Sequence, residues 1–109
     1  MLITSESAAG EALEEVGQLQ RSAEDGNLAG GHAGDQMVER ADAVVEYFLA
    51  MGSSNLYGPL IEPLMQWAQF AMAPIWLRNP ETQTGREAKQ VYESIRMFFE
   101  KYSHLQTTD

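Results

Sequence analysis

Apolar residues recur at intervals of three and four along most of the chain. No stretch alternates with polar residues long enough to predict a strand. Leu13, Val16, Leu19 and Ala23 define a first helix over about Ser5 to Glu24. Gly10 and Gly17 each weaken it by about 1 kcal/mol relative to Ala. Its apolar face is thin and built of small residues, so it is expected at the periphery. Met37, Val38, Ala41, Val44, Val45 and Phe48 form one face of a second helix, about Gln36 to Met51. Asp35 is positioned as its N-cap and Gly52 as its stop. Ala88, Val91, Tyr92, Ile95, Phe98, Phe99, Tyr102 and Leu105 mark a last helix. Thr84 and Glu87 are spaced as its capping box, with Asn79-Pro80 as a competing earlier start. Lys89 with Glu93, and Arg96 with Glu100, are spaced for ion pairs one turn apart.

The third helix is different in kind. Residues 56–77, LYGPLIEPLMQWAQFAMAPIWL, contain no Lys or Arg and one acid, Glu62. At about 100° per residue, Glu62, Gln66, Gln69 and Ala73 fall into one narrow stripe, and the rest of the circumference is apolar. Pro59 and Pro63 fit only in or before a first turn, which places the start between Gly58 and Glu62. Pro74 is expected to kink the helix or end it near Ala73. The pattern therefore predicts an all-α protein. It is a single small domain over residues 1–109, with three to four helices around a very apolar central helix at about 59–77. A Gly-rich loop, 25–34, separates the peripheral first helix from the core helices, and it reads as a flexible linker.

A helix apolar almost all round must be covered on almost every side. Met65, Trp67, Phe70, Met72 and Trp76 are thus core, an interface for another chain, or a membrane contact. Trp67, opposite the polar stripe, is expected to be buried. Residues 56–77 are long enough to span a bilayer but contain three prolines, Glu62 and two glutamines. The flanking helices have the amphipathic form of a water-facing protein, which makes insertion the lesser reading.

Charge sharpens the picture. The formal net charge is −9, unevenly placed. Residues 1–55 carry ten acids against Arg21 and Arg40, while 56–109 carry six acids against five bases. Such a surface disfavours direct binding to nucleic acid. Asp35, Glu39, Asp42 and Glu46 align as an acidic ridge on the second helix. It reads as a solvated face, or as a determinant for a basic partner. The chain has no cysteine, which removes disulfides, thiolate metal sites and cysteine nucleophiles. The N-terminal MLITSESAAG lacks the basic and apolar run of a signal peptide, so a cytoplasmic protein is expected.

Catalytic and cofactor motifs are missing from the sequence. The glycine loop lacks the lysine and preceding strand of a phosphate cradle. His32 and His104 form no ligand pair, and neither follows a Glu at the di-iron spacing. No G-x-S-x-G occurs. The expected function is a non-enzymatic, acidic helical protein–protein interaction module, an adaptor, inhibitor or assembly component. It would use no metal and no cofactor. It would bind another protein or itself, with a homodimer as the expected form, through helix 3 and neighbouring faces. The alternatives are a small-ligand binder or enzyme with a pocket between helices 2, 3 and 4, in which Glu62 is buried, and a small membrane-interface or membrane-inserted protein.

Overall fold

A computed structural model describes residues 2–106. Four helices carry the chain: α1 (Glu6–Glu24), α2 (Ala33–Ala50), α3 (57–78) and α4 (Gln83–Lys101). Short 3-10 turns lie at Ala29–Gly31 and Ser103–Gln106, and there is no strand among the described residues. The helices run up and down. Glu15 pairs with Arg40, while the earlier Ala9 and Ala12 pack with the later Val44, so α1 runs antiparallel to α2. Tyr57 meets Phe99 and Trp76 meets Tyr92, so α3 runs antiparallel to α4. Asp35 meets Ser94 and Asp42 meets Lys101 at the same offset of 59 residues, so α2 and α4 run parallel.

The helix starts follow local chemistry. Ser5 Oγ accepts the Ala8 amide at 3.1 Å and caps α1. At α4 the cap is Thr82, two residues before the expected Thr84. Its hydroxyl oxygen accepts the Gly85 amide at 3.0 Å, and its hydroxyl donates to the Asn79 carbonyl at 2.9 Å. Gly85 makes this turn available, because a Cβ there would overlap the Asn79 carbonyl. α2 begins at Ala33 rather than Gln36, which puts Asp35 inside the first turn instead of at the cap. An acid there still complements the exposed amides of the helix start.

The glycine-rich segment is not a slack linker. Leu28, Gly31, Ala33 and Gly34 are buried. A Cβ on Gly34 would lie 2.7 Å from the Val91 carbonyl oxygen, and one on Gly31 would lie 2.6 Å from Gln90 Oε1. The glycines let this turn lie directly against α4. Gly31 also takes φ 96°, and Ala29, at φ 53°, occupies a left-handed conformation that costs an ordinary residue about 1–2 kcal/mol.

Of the two outcomes expected at Pro74, a kink or an end near Ala73, the end is not what α3 shows. The helix runs on to Arg78 by widening the turn ahead of each internal proline. Tyr57–Ile61 and Ala68–Met72 are π-helical. The Glu62 amide reaches back five residues to the Tyr57 carbonyl, and the Ala73 amide likewise reaches Ala68. Pro63 and Pro74 follow at once. A proline ring clashes with the carbonyl four residues back in a regular helix, and a wide turn is the usual remedy at such a kink.

The main core joins Met37, Ala41 and Val45 of α2, Ile61, Leu64, Met65, Ala68 and Met72 of α3, and Ala88, Val91, Ile95 and Phe98 of α4. Met37, Ile61, Met72 and Ile95 are wholly buried, each contributing about 1.5–3 kcal/mol of transfer free energy. α1 rests on α2 through Ala9 and Ala12 against Val44. Among the described residues no polar or charged residue is buried.

Candidate functional site

The five apolar residues singled out on α3 divide three ways. Met65 and Met72 are in the core at 5% and 0% exposure, where packing against α2 and α4 leaves them no free surface. Trp67 and Trp76 are half-buried at the margins. The expected full burial of Trp67 is not met, because its indole N–H reaches out to Glu24 Oε2 at 2.9 Å. Trp76 stacks near Tyr92 with ring centroids 5.7 Å apart, and Lys89 Nζ lies 5.4 Å from its centroid. Phe70 alone faces water, at 80% exposure.

Phe70 belongs to an outward face that the polar stripe described only in part. Gln66 and Gln69 are exposed as the stripe required, while Glu62 and Ala73 are half-buried. Beside the glutamines stand Pro59, Pro63 and Leu77, all exposed, with Leu77 at 66%. No exposed residue from Gly58 to Leu77 carries a charge. An apolar groove of about 350 Å³ borders this face between α1 and α3, lined by Leu13, Gly17, Leu60, Pro63 and Trp67 among others.

The acidic ridge faces solvent at Asp35, Glu39 and Glu46, yet most of it is also engaged. Three of its four members hold α4. Asp35 Oδ1 accepts the Ser94 hydroxyl at 2.6 Å, and Asp35 Oδ2 lies 3.4 Å from His32 Nδ1. Asp42 Oδ1 accepts Lys101 Nζ at 2.8 Å and also the Tyr102 hydroxyl. Glu46 Oε1 shares that hydroxyl at 3.1 Å. Tyr102 is only 3% exposed, and burial, followed by its bonds to Asp42 and Glu46, pushes its ionisation far above the ordinary tyrosine range. The bond to Asp42 raises Lys101 likewise. These groups form a fixed seam in which Lys101 is charged and Tyr102 is a neutral donor. Glu39, the fourth member, is exposed.

Glu62 is half-buried, accepts a long bond of 3.5 Å from Gln66 Nε2, and lines none of the clefts described. The widest of these, about 630 Å³, lies between Leu2–Ile3 and the Glu39, Asp42 and Glu46 side of α2. Among the described residues no three His, Asp or Glu side chains are grouped to hold a metal ion. No helix among them is long and apolar enough to cross a membrane.

No family model, curated protein or solved structure matches this chain.

Proposed function

We propose that this chain is a non-enzymatic protein-interaction domain, an assembly or regulatory component of the cytoplasm, that docks through the outward face of α3. The observation that carries the reading is Phe70, a large aromatic at 80% exposure in the middle of an uncharged helix face. Exposed single hydrophobics are ordinary, but an aromatic set among exposed prolines and Leu77 beside an apolar groove forms a patch. Aromatics at the centre of a patch supply most of the binding energy of protein interfaces. The acids that looked available for recognition or catalysis are engaged in holding α4, which supports placing the interaction on α3 instead.

The test is a photo-cross-linking amino acid, p-benzoylphenylalanine, placed at position 70 in the cells that make the protein. Position 97 on α4, where Met97 is 69% exposed, is the control. The expected result is a protein adduct from position 70 and none from position 97. Absence of an adduct at 70 would overturn the reading.

A further inference from the structure

We propose that α1 and the residues before it form a separately opening unit, hinged at Gly26, that leaves α2, α3 and α4 folded when it detaches. This motion is separate from docking at the outward face of α3.

Burial is divided unevenly between the helices. α2, α3 and α4 meet in one core whose wholly buried members include Met37, Ile61, Met72 and Ile95. Of the buried residues of α1, only Val16 and Ala23 join that core. Ala9 and Ala12 sit instead with Ile3 and Val44 in a second, smaller one. Hydrophobic stabilisation follows the apolar area removed from water, and an alanine side chain has little area to give. Detachment of α1 therefore gives up few large contacts. The main core and the Asp42–Lys101–Tyr102 seam hold the other three helices together without it.

The polar attachments of α1 are at the surface. Glu15 Oε1 accepts Arg40 Nε at 2.6 Å between part-exposed side chains, and Glu24 Oε2 accepts the Trp67 indole N–H at 2.9 Å. Clefts undercut the helix on two sides. The groove of about 350 Å³ separates it from α3, and another of about 480 Å³ runs beside Glu15, Leu19 and Arg40. Few buried apolar contacts and exposed attachments are the marks of a segment that opens below the global unfolding free energy.

The hinge lies where exposure changes abruptly. Asp25, Gly26 and Asn27 are exposed, and Gly26 takes φ 102° with open space where a Cβ would stand. The next residue, Leu28, is buried in the main core. The chain is thus unpinned up to Asn27 and anchored from Leu28 onward. A detached helix of this length is marginal in water, and Gly10 and Gly17 lower its propensity further. Detachment and unwinding of α1 are one event, and they bare Val44 on α2.

Native-state hydrogen exchange of the full chain, read by NMR through rising sub-denaturing urea, tests this. The interior amides of α1, such as those of Val16 and Leu19, are expected to exchange as one set. They should do so roughly 10-fold or more faster than the Val91 and Ile95 amides of α4. Their rates should rise with urea, with a smaller slope than α4 because less surface is exposed. Two variants assign the event. Ile95→Val weakens a core that stays folded in the open form, so it should speed α4 exchange roughly 2- to 10-fold and leave α1 unchanged. Gly10→Ala adds a methyl group where nothing lies within 4 Å. It stabilises the closed form against both the open and the unfolded forms, so it should slow α1 and α4 alike, about fivefold. A common rate for α1 and α4, or an Ile95→Val chain in which α1 quickens as much as α4, would show one cooperative unit and overturn the proposal. A gradient of rates inward from Glu6 without urea dependence would show mere fraying and overturn it too, as would α1 rates indifferent to Gly10→Ala.

Discussion

Tyr102→Phe isolates the seam between α2 and α4. The substitution removes one oxygen and leaves the ring in its buried place against Phe98. What is lost is a donor shared between Asp42 and Glu46. A hydrogen bond to a charged group contributes about 1.5–3 kcal/mol, and the exposed Glu46 end of this one is screened by water. The expected cost at neutral pH is therefore about 2 kcal/mol, dominated by Asp42, or a fall in melting temperature of roughly 8 °C for a domain of this size. A pH series makes the test specific. Tyr102 ionises at higher pH in the folded chain than in the unfolded one, so its contribution is complete below about pH 10. Above that, the unfolded tyrosine loses its proton first, and the contribution declines by up to about 1.4 kcal/mol per pH unit. The phenylalanine chain has no such proton to lose. The gap between the two proteins in urea melts should be constant from about pH 7 to pH 9 and close as pH climbs past 10. A gap below about 0.5 kcal/mol at pH 7, or one that has not narrowed by pH 11, would refute the account of the seam.

The same seam separates two acids that look alike in sequence. Asp42→Lys should destabilise by about 2 kcal/mol or more, since it faces Lys101 with a like charge and strips an acceptor from Tyr102, whereas Glu39→Lys should change stability by less than about 0.5 kcal/mol; equal effects in denaturant melts would contradict this. Gly85→Ala should cost about 1–3 kcal/mol by forcing a Cβ onto the Asn79 carbonyl and disturbing the Thr82 cap, and an unchanged urea midpoint would exclude that contact. Ala29→Gly should gain up to about 1 kcal/mol by relieving the left-handed conformation, net of the extra freedom it gives the unfolded chain, and a loss of stability would show that the turn is not strained.

The periodicity of the apolar residues made the four helices legible, and the range expected for α1, about Ser5 to Glu24, lies within a residue of the one observed. Regular periodicity also misled. Around Gln66 both flanks of α3 are apolar, with Met65 and Trp76 on one side and Phe70 and Leu77 on the other. Nothing in the local pattern says which flank turns inward. Contact with α4 decides it, and that contact depends on how the helices are arranged. Pro63 was placed in a first turn and Pro74 at a kink or an end because a uniform helix has no room for either, and the wide turns supply that room. The bonds of the ridge to α4 were not legible for a related reason. Asp42 and Glu46 lie opposite the apolar face of α2, but their partner is some sixty residues away. One clue was present: a tyrosine at a core-facing position of the last helix must find an acceptor for its hydroxyl. The glycines of the α1–α2 turn were taken for slack because close approach to a neighbour and freedom of the backbone favour the same residue.

The wide turns of α3 also bear on how such a helix could be altered by heritable change. Each is a regular turn with one residue inserted, immediately before a proline. Deleting that residue alone would return the Pro74 ring to the carbonyl four residues before it, with which it clashes in a regular turn. Replacing Pro74 alone would leave a wide turn with nothing to accommodate. Only the two changes together give an unbroken helix, so their effects should be strongly non-additive, as expected for groups in direct contact. Insertion and proline thus form an epistatic pair, present twice at an interval of eleven residues. A lineage that acquired both halves could lose either one only through a less stable intermediate.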